Sequence, residues 1–85
     1  MNELTLLIPA KNEAESLPIV LDELKKYNYK INIILHITDL DTIKAIREYD
    51  VNIIYQENLG YGDALIQGIK QCKTKYFCIF NADGS

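Results

Sequence analysis

Four short runs of apolar residues alternate along this chain with longer segments in which apolar residues recur at every third or fourth position. The runs occupy residues 4–10, 31–37, 51–55 and 76–80. Their length and β-branched content are typical of strands buried on both faces. The intervening segments carry the spacing of amphipathic helices. The pattern therefore predicts the element order β-α-β-α-β-α-β.

Polar residues beside the periodic segments predict where the helices begin and end. Ser16 is the expected N-cap of the first helix, which we expect to run to about Tyr27. Asp39 and Asp41 offer caps for the second helix, whose apolar side extends to Tyr49. A pair of glycines precedes the third helix. Each helix is thus expected to begin shortly after a polar loop that follows a strand.

Strands that alternate with helices form a parallel sheet with helices packed on both faces. We therefore expect an α/β fold of the Rossmann-like type. Ligands of such sheets bind beyond the carboxyl ends of the strands. The loops expected at that edge are residues 9–13, 38–41, 56–62 and 81–85. The sequence predicts a ligand site there.

The composition is that of an ordinary globular protein, and it narrows the classes of function. Of the 85 residues, 48% are hydrophobic and 25% are charged, and the chain forms at most one domain. The formal net charge is -3 and the nine Lys and Arg residues are scattered, which argues against a nucleic-acid partner. No apolar run approaches the roughly 20 residues of a membrane-spanning helix, and the N-terminus lacks the layout of a signal peptide. We expect a cytoplasmic chain without a membrane segment.

Two cysteines, Cys72 and Cys78, fall on a predicted helix and a predicted strand. Their spacing matches neither a zinc site nor a redox motif. We expect them to be reduced thiols packed in the core.

Three short motifs lie at the ends of predicted strands, on the expected ligand edge. They are residues 8–13 (IPAKNE), 58–65 (NLGYGDAL) and 80–85 (FNADGS). In content, order and spacing they resemble the motifs of family 2 glycosyltransferases, and the polyprenyl-phosphate glycosyltransferases are the most similar subgroup. The resemblance covers nearly the whole of residues 1–85. It implies a partial domain, the amino-terminal, nucleotide-sugar-binding half of a GT-A fold with the acceptor half absent.

The resemblance also implies a divalent cation, Mg²⁺ or Mn²⁺, bound by a D-x-D-type motif. A hard cation that bridges diphosphate oxygens prefers carboxylate ligands. Asp83 corresponds to the last acidic residue of that motif and is the expected metal ligand. Asn81 stands where the family usually has Asp, so its amide oxygen is a second candidate ligand without a negative charge. Without the family, residues 81–84 are simply a segment of turn-forming residues.

Donor binding is expected from residues in all four loops. The resemblance assigns this role to Pro9, Ala10, Asn12, Glu13, Asp39, Gly60, Gly62, Asn81 and Asp83. Asp39 is the expected acceptor of a hydrogen bond from the base, with Asp41 as a helix cap. Glycines before a helix let backbone N–H groups approach a diphosphate. Tyr61 stands between the two glycines, where family members often carry a basic residue.

These motifs also have interpretations that involve no ligand. Asn12 and Glu15 are suited to a local capping arrangement, and the glycine pair is suited to shaping a turn. His36 lies alone in an apolar strand and is expected to be a packed or hydrogen-bonded residue rather than a catalytic base. The sequence alone leaves the first two alternatives open.

Together with the resemblance, the sequence predicts an inverting glycosyltransferase of cell-envelope glycan synthesis. The donor would be a UDP- or GDP-linked sugar and the acceptor a polyprenyl phosphate or a growing glycan. These substrates place the enzyme in the cytoplasm or at the inner face of the membrane. No residue is assigned as general base, because the acceptor groups of the family lie in the half expected after Ser85. Residues 1–85 alone would then bind donor without transferring sugar, and the other hypothesis is a nucleotide-binding module without catalysis.

Overall fold

The computed structural model describes residues 4–58 and 60–81, and it confirms the predicted order of strands and helices. The strands are β1 (Leu4–Pro9), β2 (Lys30–His36), β3 (Asn52–Gln56) and β4 (Tyr76–Ile79). The helices are α1 (Ser16–Leu24), α2 (Leu40–Ala45) and α3 (Tyr61–Lys70), and a 3-10 turn at Lys25–Tyr27 extends α1. None of the helices in these two ranges has both the length and the apolar character needed to cross a bilayer.

All four strands are parallel and form one sheet in the order β3-β2-β1-β4. Ile8, Ile33 and Ile53 stand side by side on the three neighbouring strands β1, β2 and β3. The chain adds strands on one side of β1 as far as β3, and then crosses to the other side to form β4. The strand order therefore reverses next to β1. In open parallel sheets the crevice at such a reversal is the usual ligand site.

Alternation along the central strands divides the core between the two faces of the sheet. Leu6 and Ile8 lie on the face covered by α1, where Leu17 belongs to the same buried cluster. Leu7 lies on the opposite face, beneath α3, in a cluster with Ala64. Central strands covered on both faces need apolar side chains in both directions, which explains the continuous apolar runs in the sequence.

α3 approaches the sheet closely at Gly68. A Cβ atom on this residue would lie 3.0 Å from Cδ1 of Ile34 and 3.5 Å from Cδ1 of Leu7. Both neighbouring side chains are fully buried. The missing side chain at Gly68 thus allows α3 to pack directly on β1 and β2.

β4 forms an exposed edge of the sheet. All four of its residues are exposed, because within the described part of the chain β4 pairs only with β1, and α3 packs chiefly over β1, β2 and β3. The expectation of strands buried on both faces therefore holds for β1 and β2 but not for β4. The prediction that Cys72 and Cys78 lie in the core is wrong, in the case of Cys78 because it lies on this exposed strand. Both are free thiols, but Cys72 is half-buried and Cys78 is exposed.

Two helix boundaries differ from the predicted ones. Glu15, not Ser16, occupies the N-cap position of α1, and it makes no side-chain cap hydrogen bond. The Ser16 hydroxyl instead donates to Oε1 of Glu13 at 2.7 Å. α2 ends at Ala45 rather than continuing to Tyr49.

Tyr49 connects the segment after α2 to α1. Its hydroxyl donates to Oδ1 of Asp22 at 2.8 Å. This hydrogen bond raises the pKa of Tyr49 above its ordinary value of 10.0, because loss of the phenol proton would place an anion beside the carboxylate. The contact therefore joins the segment that follows α2 to α1.

Candidate functional site

A half-open cleft of about 660 Å³ lies at the carboxyl ends of the strands. It is lined by the loops after β1 and β2, the end of β3, the start of α3, and Asn81 beyond β4. Of the residues predicted for donor binding, the cleft brings together Pro9, Ala10, Asn12, Glu13, Asp39, Gly60 and Asn81. Gly62 lies in the first turn of α3, outside the lining. Asp83 falls outside the residues that the structure describes.

Two hydrogen bonds fasten the loop after β1 to the segment after β2, and we term them the loop latch. The backbone N–H of Asn12 donates to Oδ2 of Asp39 at 2.8 Å, and that of Glu13 donates to Oγ1 of Thr42 at 3.0 Å. Asn12 has a φ of 55°, in the left-handed region that Asn adopts more readily than most residues. Thr42 is fully buried. The two segments therefore form one wall of the cleft.

The Asp39 carboxylate has a structural partner and also lines the cleft. Asp39 occupies the N-cap position of α2, but its side chain makes no cap hydrogen bond. Oδ2 accepts from Asn12 instead, and Oδ1 has no hydrogen-bond partner within the described ranges. Asp41 is exposed in the first turn of α2, where a carboxylate interacts favourably with the helix N-terminus.

His36 lines the cleft and is hydrogen-bonded, as the sequence predicts. Its Nδ1 lies 2.8 Å from Oγ1 of Thr38 and accepts the Thr38 backbone N–H at 3.2 Å. The ring therefore holds the turn that follows β2.

A bend at Gly60 starts α3 at the cleft. Its φ of 119° and ψ of 150° fall in a region essentially restricted to glycine. Gln56, which sequence reasoning missed, supports this bend because its side-chain amide donates to the backbone oxygens of Asn58 and Gly60. Its signal in the sequence is a polar residue that ends a β-branched strand at the ligand edge. Thr42 was also missed, because nothing in its local sequence shows that its partner is the distant Glu13.

Tyr61 and Asn81 meet at the cleft. The Tyr61 hydroxyl donates to Oδ1 of Asn81 at 3.3 Å. Oδ1 is the only oxygen of the Asn81 side chain, and so the only atom of that side chain that could ligate a hard cation. Residues 4–58 and 60–81 contain no group of three or more His, Cys, Asp and Glu side chains placed to hold a metal ion. The predicted ligand Asp83 is not among them.

The open parallel sheet with a polar cleft at its strand-order reversal defines a class of α/β domain that binds ligands at the carboxyl edge. Residues 5–85 match the family described as Glycosyl transferase family 2, and the chain belongs to this family. The strand order is consistent with the amino-terminal half of a GT-A fold.

The chain is similar to three uncharacterized mycobacterial glycosyltransferases, one from Mycobacterium bovis and two from strains of Mycobacterium tuberculosis. It is 28% identical to each of them over 81 residues, which cover 95% of this chain and 37% of each relative. The chain therefore spans little more than a third of the length of these relatives. No solved structure was found to match it.

Proposed function

We propose that the cleft binds the nucleoside-diphosphate part of a UDP- or GDP-linked sugar for an inverting glycosyltransferase of family 2. One observation carries the proposal: loops after successive strands converge on one cleft at the strand-order reversal, in a chain that belongs to this family. The cleft volume of about 660 Å³ is in the range of small-molecule sites.

The base and ribose are proposed to lie against the wall of the cleft that is formed by the two segments joined by the loop latch. Oδ1 of Asp39 is the oxygen available to accept from a base N–H, because Oδ2 already accepts from Asn12. A carboxylate only accepts hydrogen bonds, which suits Glu13 to the ribose hydroxyls. Oε1 of Glu13 accepts from Ser16, so Oε2 is left for the ligand. Pro9 and Ala10 complete this wall.

The diphosphate is proposed to lie at the start of α3. Backbone N–H groups in the first turn of a helix have no helical partners and lie at the positive end of the helix dipole. The glycine pair at Gly60 and Gly62 leaves that backbone free of bulky side chains. Lys11 lines the cleft and adds a positive charge, whereas Tyr61 offers a ring and a hydroxyl.

A divalent cation, Mg²⁺ or Mn²⁺, is proposed to bind the diphosphate through Asp83. When bound, such a cation neutralises the charge that develops on the departing diphosphate. Asn81 fits this role only as a neutral partner, because its side-chain amide carries no charge. Its Oδ1 also accepts the Tyr61 hydroxyl. We therefore expect the metal to bind more weakly than at a site with two carboxylates.

In the proposed transfer, the acceptor oxygen bonds to the anomeric carbon from the face opposite the diphosphate. The bond from that carbon to the diphosphate oxygen breaks, and its electron pair leaves on the diphosphate. A glycan hydroxyl loses its proton to a general base, whereas a polyprenyl phosphate is already ionised and needs none. We place the acceptor groups and any base in the further length that the relatives have, and the reaction in the cytoplasm or at the inner membrane face.

Calorimetric titration of the 85-residue chain with UDP and GDP, each with and without Mn²⁺, tests this proposal. We expect at least one nucleotide to bind, and Mn²⁺ to tighten its binding in the parent but not in Asp83→Ala. Asp50→Ala is the matched control, because Asp50 is an exposed carboxylate that precedes β3, at the amino ends of the strands and away from the cleft. The proposal fails if neither nucleotide binds in the presence of Mn²⁺.

A nucleotide-binding module without catalysis is the second candidate. Asn81 favours it, because the site lacks one carboxylate and the amide oxygen is engaged by Tyr61. This alternative predicts nucleotide binding that neither Mn²⁺ nor Asp83→Ala changes, so the same titration separates the two functions.

A further inference from the structure

Gln56 is a buried polar residue where β3 meets the cleft. It is 7% exposed and lines the cleft. Its Nε2 lies 2.6 Å from the backbone oxygen of Asn58 and 3.1 Å from that of Gly60. An amide nitrogen has two hydrogens, and these two carbonyls account for both. Oδ2 of Asp63 lies 3.5 Å from the same nitrogen, at the limit of a hydrogen bond.

These contacts orient the peptide group that starts α3. The Gly60 carbonyl accepts one hydrogen bond from Gln56 and another from the Ala64 N–H at 3.2 Å. These two hydrogen bonds together fix the direction of the carbonyl. In a trans peptide the N–H points opposite to the carbonyl, and no described peptide bond is cis. The Tyr61 N–H is therefore turned away from Gln56. Gly60 has no side chain with which to cap α3, and among the described residues Gln56 is the side chain that bonds to its carbonyl and so sets this orientation.

The remaining polar atom of Gln56 is accessible at the cleft. Oε1 has no hydrogen-bond partner among residues 4–58 and 60–81. Within the same residues, no fully buried side-chain nitrogen or oxygen lacks a partner. Oε1 is therefore not fully buried, although Gln56 as a whole is only 7% exposed. Gln56 thus keeps one acceptor without a partner among the described residues, in a side chain that lines the cleft.

We propose that Gln56 is a positioning residue for phosphate binding, which holds the Gly60 peptide so that the first-turn N–H groups of α3 face a phosphate of the ligand. This inference rests on the proposed function, because it takes a phosphate-bearing nucleotide as the ligand. Gln56 acts through the backbone at the α3 side of the cleft, whereas the loop latch supports the base and ribose side. Loss of the Gln56 amide should therefore weaken the recognition of phosphate and spare that of the nucleoside.

Gln56→Met tests the inference, because Met has a similar length and volume but cannot donate a hydrogen bond. The quantity measured is the phosphate increment, which is the affinity for UDP or GDP divided by the affinity for the corresponding nucleoside. We expect the phosphate increment to fall roughly five- to tenfold in Gln56→Met, because this variant loses the hydrogen bonds that orient the backbone N–H donors. Thr42→Val is the matched control, because it weakens the loop latch and should reduce both affinities without changing their ratio.

Gln56→Asn is the second variant, since it keeps the amide but is one methylene too short to reach both carbonyls. We expect its phosphate increment to fall by less than that of Gln56→Met. If Gln56→Met does not fold, the increment of Gln56→Asn tests the role of Gln56. Melting curves establish which variants are folded. An unchanged increment in a folded Gln56 variant overturns the inference while leaving nucleotide binding by the parent, and so the proposed function, intact. A parent that binds no nucleotide overturns the proposed function itself.

Discussion

Replacement of Thr42 by Val removes one hydrogen bond of the loop latch while nearly preserving the side-chain shape. Thr42 is 0% exposed, and its Oγ1 accepts the Glu13 N–H at 3.0 Å. Val offers no acceptor, so this partly buried N–H loses its partner at a cost of about 1–3 kcal/mol. The more apolar side chain offsets part of that cost. We expect a net loss of roughly 0.5–2 kcal/mol in the free energy of unfolding.

Thr42→Ser is the matched control for this prediction. It keeps the hydroxyl that accepts from Glu13 and removes only a buried methyl group, at a cost of about 1 kcal/mol. The two variants are thus expected to be similarly stable. They differ in the loop after β1, because only Thr42→Ser keeps the hydrogen bond from the Glu13 N–H.

Urea-induced unfolding measures the stability of both variants, and amide hydrogen exchange followed by NMR measures the loop. We expect the Glu13 amide to exchange roughly tenfold faster in Thr42→Val than in the parent, beyond any change in global stability. In Thr42→Ser it should keep its protection. A Glu13 amide that stays fully protected in Thr42→Val would refute the role assigned to the latch.

Two further predictions concern packing and pH. Gly68→Ala should lower the free energy of unfolding by about 1 kcal/mol, because overpacking against the buried Ile34 costs more than the helix propensity of Ala returns. Gly62→Ala has open space around its Cβ and should not destabilise, so equal urea midpoints for the two variants would contradict the packing argument. Tyr49→Phe should be less stable than the parent at neutral pH, because it loses the hydrogen bond to Asp22. The pKa of Tyr49 is raised in the folded state, so its contribution is complete below the ordinary value of 10.0 and is lost as the pH rises through the folded value. The difference between parent and variant should therefore narrow above pH 10.0, and a constant difference would count against the assignment.

The order of elements and the edge where the loops meet could be predicted because both follow from local patterns. Apolar runs at residues 4–10 and 31–37 are long enough to identify strands. Strand order is not a local property. Among the described strands β4 pairs only with β1, and Cys78 on it is exposed despite its apolar neighbours.

The side-chain partners at the cleft could not be predicted, because they join residues far apart in the sequence. A carboxylate before a helix predicts a cap, yet Asp39 accepts from Asn12, 27 residues earlier. A Ser before a helical pattern also predicts a cap, yet Ser16 donates to Glu13, and Glu15 takes the cap position. In both cases a competing hydrogen-bond partner prevents the side chain from capping the helix. The partner of Asp39 is distant in sequence, so it comes close only when the chain folds.

The proposed function depends on the binding of a nucleoside diphosphate in the cleft at the carboxyl edge of the sheet. It can be tested by titrating the isotope-labelled chain with UDP and GDP in the presence of Mg²⁺, which is diamagnetic, and following the backbone amide chemical shifts. We expect saturable shifts centred on Ala10, Glu13 and Gly60, with the amides of Lys30 and Asn52 at the opposite ends of their strands unchanged. Saturable shifts centred on that opposite end, or no shift with either nucleotide, would contradict it.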